Sequence, residues 1–118
     1  MEKKSHVNFN DAEVQYQVPS PEMLRSVFAG ENVLIGRNII KAGTHVPSHS
    51  HEHEQYTLII KGEVDVVCGD ESFHLTPGGI CCAQSNVPHE LTMWDESDVE
   101  LYDIFCPVRE DWLTPLEK

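Results

Sequence analysis

Eight short apolar runs, divided by turn residues, constrain this chain more than any other feature of its sequence. They occupy residues 26–29, 33–40, 56–60, 63–68, 72–75, 80–83, 90–94 and 99–105. Between them fall Gly30, Glu31 and Asn32, then Gly43, Gly62, Gly69-Asp70, Pro77-Gly78-Gly79, Asn86-Val87-Pro88, and the acidic stretch from Asp95 to Asp98. Strand-length runs at roughly ten-residue spacing, without a sustained helical period, predict an all-β sandwich or barrel. A chain of 118 residues has room for one domain, one core and one internal site. Residues 1–24 read as a polar N-terminal arm, irregular or edge-strand where Pro19 and Pro21 stand. Residues 25–108 carry the barrel and 109–118 form a tail. Within the tail, 109–116 is a weak helical segment that Pro115 limits.

Charge narrows the partners. With 20 acidic against eight basic residues the net charge is −12, which argues against nucleic acid and anionic membrane, since both need clustered Lys and Arg. The first 13 residues lack the apolar segment of a signal peptide, and no apolar run is long enough to span a bilayer. The expectation is a cytoplasmic protein. Cys68, Cys81, Cys82 and Cys106 show no C-x-x-C pair and read as small hydrophobes kept reduced.

Chemistry concentrates in His49-Ser50-His51-Glu52-His53-Glu54-Gln55. Residues two apart in an extended segment share a face, so His49 and His51 can point inward together, with Gln55 joining them after a short turn or bulge. A fourth ligand must come from another strand, and His89 follows the turn Gln84-Ser85-Asn86-Val87-Pro88. Three imidazoles and an amide oxygen suit one divalent metal, Fe(II), Mn(II), Ni(II), Co(II) or Zn(II), and leave positions open for water or substrate. His53 has the ligand parity but falls in the turn, and reads as a rim residue. His6, His45 and His74 show no partner pattern and read as surface residues. Arg25 and Arg37 could each line the site's mouth, because sequence alone does not fix their faces.

The same residues resemble the cupin superfamily. Gly43, His49, His51 and Gly62 stand at the positions of its first motif, with Gln55 where that motif has an acid. Of the second motif only Gly78 and His89 are kept; Gln84, Asn86 and Met93 depart from it. The resemblance implies a single-domain double-stranded β-helix, or jelly-roll barrel. A narrower likeness adds the tail Tyr102-Asp103-Ile104-Phe105-Cys106-Pro107-Val108-Arg109-Glu110-Asp111-Trp112-Leu113 to the histidine stretch and the Asn86–His89 turn. Together they are similar to the pectin-degradation, KdgF-type, cupins. That likeness implies conversion of 4,5-unsaturated monouronates, released by pectin or alginate lyases, into linear 4-deoxy-5-keto uronates.

Three residues around the expected metal carry alternatives. Asp103 shares a strand face with Leu101 and Phe105, where a carboxyl is costly unless paired or functional; it reads as a general acid/base or as a salt-bridged strand residue. Arg109 either grips a substrate carboxylate or pairs with Glu110, Asp111 or a second subunit. Phe105 either packs on a sugar ring or belongs to the core. Gln55 leaves the metal's charge unneutralised, which favours Lewis-acid chemistry on an anionic sugar over O₂ activation. An Fe(II) dioxygenase and a non-catalytic metal- or sugar-binding module are the competing functions. Tyr56, Leu58 and Ile60, with Tyr102, Ile104 and Cys106, make two strands apolar on both faces, which predicts cover by a second sheet layer or by a partner subunit; with the family resemblance, the expectation is a homodimer.

Overall fold

The computed structural model describes residues 5–11 and 14–113. Ten strands form: β1 (Gln17–Ser20), β2 (Met23–Ala29), β3 (Leu34–Ile40), β4 (His45–His49), β5 (Glu54–Lys61), β6 (Val64–Cys68), β7 (Glu71–Leu75), β8 (Ile80–Ala83), β9 (His89–Met93) and β10 (Val99–Cys106). Six make one antiparallel sheet in the order β1-β2-β3-β10-β5-β8, and four make the other in the order β4-β9-β6-β7. This is a jelly-roll barrel. No described helix is long and apolar enough to cross a membrane.

Period-two patterning explains the layers. On β3 the residues Leu34, Gly36, Asn38 and Ile40 are buried, and on β10 Val99, Leu101, Asp103 and Phe105 are. Ile40, Ile59, Val99 and Leu101 from the larger sheet meet Val64, Val66, Leu91 and Met93 from the smaller one. Each fully buried aliphatic side chain there contributes about 1.5–3 kcal/mol. The opposite face of the larger sheet leaves Leu24, Tyr56, Ile60 and Ile80 exposed. Phe9 crosses that face, edge-on to Tyr102.

Glycine is required at two close approaches. Gly62 turns β5 into β6 with φ +87°, and a Cβ there would stand 2.8 Å from Val99 Cγ2. Gly36 lies under the tail instead. After β10 the chain runs into a single 3₁₀ turn, Glu110–Trp112, and Trp112 drops onto Gly36. The expected helix over 109–116 is therefore confined to that turn, and residues 114–118 lie outside the described residues. Trp112 is held by Gln17 Nε2, which donates to its carbonyl at 2.7 Å, and packs edge-on to Phe105 with ring centroids 4.7 Å apart. With Leu34 they form a second apolar cluster at the end of the barrel. Within the arm, Gln17–Ser20 pairs with β2 as the edge strand of the larger sheet, where Pro19 needs no ladder donor.

Replacing Gly36 with Ala tests the docking of the tail. The added Cβ falls 2.5 Å from Trp112 Cζ3 and 3.0 Å from Cε3, too close for either to stay in place. Overpacking of this kind costs about 1–3 kcal/mol. The expected result is a lower urea midpoint and red-shifted tryptophan emission as Trp112 leaves its slot; an unchanged midpoint and spectrum would contradict this account.

Candidate metal centre

Three imidazoles converge because three turns aim them. His49 ends β4, His89 begins β9 directly opposite it, and His51 lies in the link to β5. Each ring sets its Nδ1 2.9 Å from a backbone carbonyl two residues away: Pro47 for His49, His53 for His51, Val87 for His89. A carbonyl only accepts, so each Nδ1 carries the proton and each Nε2 presents its lone pair. The three rings offer ligand atoms that all lie within 4.8 Å of one another. Burial holds the His51 and His89 imidazoles below the usual histidine pKa, which favours the neutral, ligating form.

Two observations show that these residues fit a cation. His89 Nε2 is buried with no hydrogen-bond partner, a costly state for a polar atom unless something else binds it. Gln55 Oε1 faces His51 Nε2 at 3.1 Å, which sets two acceptors against each other once Nδ1 holds the proton. A metal between them would resolve both. Gln55 is fixed in that orientation, because its Nε2 donates to Thr57 Oγ1 at 3.0 Å and to Asp103 Oδ1 at 2.8 Å. Both amide hydrogens are spent, so the oxygen must face the imidazoles.

Asp103 anchors this network. Its Oδ1 also accepts from Thr57 Oγ1 at 2.7 Å and its Oδ2 from Asn38 Nδ2 at 2.8 Å. Burial pushes its carboxyl above the ordinary range, opposed by the hydrogen bonds from Thr57 and Gln55 and by the charges of Arg25 and Arg109. The carboxyl opens onto a cavity of about 150 Å³ whose lining includes His49, Gln55 and Arg109. Leu91, Met93 and Leu101 form its apolar side.

The expected ligands His49, His51, Gln55 and His89 thus come together, and Asp103, Phe105 and Arg109 border the same space. Phe105 is fully buried, edge-on to His51 at 5.6 Å, and so belongs to the core as well as to the cavity wall. Arg109 Nε bonds both oxygens of Asp111, at 3.1 and 3.2 Å. Arg37 lies on the outer face, paired with Glu100 at 2.8 Å, while Arg25 lines the cavity. His74 and His45 do have partners: His74 bridges Asp65 and Glu63 at 2.9 and 2.7 Å, and His45 meets Thr92 and Glu90. Those partners sit across strand pairs, where a linear reading does not find them. Asn38 and Thr57 also escaped the sequence reading, although both are polar residues on the inward parity of their strands.

Metal loading should stabilise the fold. At a free metal concentration of a hundred times Kd, binding contributes about 2.7 kcal/mol. Unfolding followed with and without Ni(II), Co(II) or Zn(II) should show a rise in Tm of several degrees, reversed by chelator. His89→Ala should abolish most of the rise and bring bound metal well below one equivalent. Full metal content in that variant would remove His89 from the ligand set.

Comparison with known proteins agrees with this geometry. The Cupin domain family matches residues 36–105. The structure of KdgF from a Halomonas species superposes with a TM-score of 0.79 at 25% identity, covering 85% of this chain and 92% of that one. An RmlC-like cupin from Shewanella frigidimarina gives 0.83 at 21%, over 95% and 99%. TT1209 from Thermus thermophilus gives 0.68 at 26%, over 75% and 87%. No curated protein sequence matches. With the family match spanning more than half of its length and three histidines converging at the motif positions, the chain belongs to the cupins and carries a site suited to a divalent metal.

Proposed function

We propose that this protein converts 4,5-unsaturated monouronates into linear 4-deoxy-5-keto uronates. The observation that carries this reading is the placement of Asp103: a carboxyl hydrogen-bonded to Gln55, itself against the histidine cluster, opens onto the same cavity. The likeness to KdgF supports the choice of chemistry, as does the neutral amide at the fourth ligand position. A divalent metal held by His49, His51, Gln55 and His89 would supply Lewis acidity without a change of oxidation state.

The residues present account for the proton traffic. Asp103 in its acid form gives a proton to C4 of the substrate. The bond between C1 and the ring oxygen breaks, that oxygen becomes the C5 ketone, and C1 becomes an aldehyde as its hydroxyl proton is lost. Asp103 recovers a proton in exchange, so the reaction is an isomerisation with no net water and no redox. Asn38, Gln55 and Thr57 hold the carboxyl in place throughout. Phe105 and Trp112 wall the cavity from bulk water.

The test is an assay on lyase-generated unsaturated monouronates, following loss of ultraviolet absorbance. Wild-type protein should turn over equally well without oxygen and lose activity with chelator. Asp103→Asn should retain metal and fall by roughly 10²–10⁴-fold in kcat, the usual contribution of a positioned acid/base. Near-normal turnover by a metal-loaded Asp103→Asn protein would refute the role of Asp103, and a requirement for oxygen would refute the isomerase.

We also propose that the protein is a homodimer joined through the outer face of the larger sheet, where Tyr56, Leu58 and Ile104 stand side by side across β5 and β10. Sedimentation should give twice the chain mass. Tyr56→Arg combined with Ile104→Asp should give a folded monomer, and a wild-type monomer at micromolar concentration would exclude the dimer.

A further inference from the structure

Arg25 is a half-buried cation with no carboxylate in ion-pair contact among the described residues, although Asp103 and Asp111 lie near enough to act on it. It stands on β2 opposite Asn38 of β3 and lines the metal-side cavity. Its Nε donates to Asn38 Oδ1 at 3.2 Å, and its guanidinium carbon lies 3.4 Å from the centre of the Trp112 ring. The other two arginines of the chain are neutralised: Arg37 by Glu100 at 2.8 Å and Arg109 by Asp111 at 3.1 Å. Arg25 has no such ion pair among the described residues, and its terminal nitrogens make no hydrogen bond to them. Burial, with Arg109 as a like charge nearby, pushes its pKa down to about 10 even against the pull of Asp103 and Asp111. A desolvated guanidinium with its forked donors free is the arrangement that receives a carboxylate bidentately.

We propose that Arg25, rather than Arg109, binds the ligand's carboxylate, and that the ligand is a single-ring monocarboxylate spanning from Arg25 toward the histidine cluster. The inference rests on the reading of the protein as a uronate-converting enzyme and names its anion-binding residue. Size supports it, because a cavity of about 150 Å³ holds roughly one six-membered ring. Trp112 stacks on Arg25 and is itself pinned by Gln17 and by the notch at Gly36. The ring also pre-orders Arg25 by stacking, which leaves less side-chain freedom to be lost when a carboxylate arrives.

The experiment uses the full chain loaded with one divalent metal. Titrations with galacturonate, galactose and trigalacturonate, followed by Trp112 emission and by calorimetry, should show binding of galacturonate. Galactose, which has a hydroxymethyl group in place of the carboxylate, should bind roughly 10- to 100-fold more weakly, and trigalacturonate should be excluded. Arg25→Met should lose galacturonate affinity by the same roughly 10- to 100-fold with metal content unchanged, and should raise KM far more than it lowers kcat. Arg25→Lys, which keeps the charge and the fold but not the fork, should recover part of that loss. Equal affinity for galactose and galacturonate in the wild-type protein would overturn the proposal whatever the variants do. So would an unchanged KM in metal-loaded Arg25→Met. The two readings fail separately: Arg25-dependent galacturonate binding without turnover of the unsaturated sugar sinks the reaction alone, and turnover with an Arg25-independent KM sinks the carboxylate assignment alone.

Discussion

A carboxyl group on an apolar inner face has to be satisfied there, and what satisfies Asp103 arranges the rest of the site. β10 is central in the larger sheet, with β3 on one side and β5 on the other. Asp103 stands opposite Gly36 and Thr57 in register, and takes donors from both neighbours: Asn38 from β3, Gln55 and Thr57 from β5. Leaving such a group unpaired would cost several kcal/mol. Because Gln55 spends both amide hydrogens on the network, the orientation of its oxygen toward His51 follows from Asp103 without any metal having to impose it. Asn38 extends the same network to Arg25. One buried acid therefore connects the ligand end of the cavity to its cationic end.

The histidines are oriented by a different device. Metal-bound imidazoles commonly give their second N–H to a carboxylate, which adds negative charge behind the ligand. Here all three give it to a backbone carbonyl two residues away in a turn. The tautomer is fixed by local chain geometry, and the ligand set stays neutral. With an amide as the fourth donor, nothing in the immediate shell offsets the charge of a divalent ion. That combination favours an anionic ligand in the remaining positions.

Much of this was legible in the linear sequence, for a physical reason. Side chains two apart on a strand share a face, so His49 with His51, and Asp103 with Leu101 and Phe105, could be set together from parity, Gln55 only after a short turn or bulge, and the turn before His89 marked the strand that brings it back. What could not be read were contacts that depend on the tail. Nothing local in Gly36 announces that an indole will lie on it, and nothing in Trp112 says which strand receives it. The weak helical pattern over 109–116 was the visible trace of a segment whose conformation is set by that docking. Trp112 neighbours both arginines, with Arg25 at 3.4 Å from its ring centre and Arg109 at 5.2 Å, and what separates them is the partner each already has. Arg109 carries the motif, but its side chain turns to Asp111 two residues on, while Arg25 is drawn in by Trp112 from a strand whose sequence says little.

Net charge and local charge then act at different ranges. A chain at −12 repels anions at a distance, and by itself that would slow the arrival of a uronate. Salt at physiological strength screens such a field within about 8 Å, so the global charge affects encounter more than binding. Inside the cavity the screening is weaker and the balance is reversed: the guanidiniums of Arg25 and Arg109 line it with a single carboxyl, Asp103, that burial already disposes toward its protonated form. Arg25 matters most in that setting. Arg109 shares its charge with Asp111, whose carboxylate is largely exposed, whereas Arg25 makes no ion pair among the described residues and gives only its Nε–H to Asn38. An acidic surface and an anion-binding interior are compatible because the cation that does the binding is half-buried and stacked on Trp112, with its terminal donors turned to no carboxylate among the described residues.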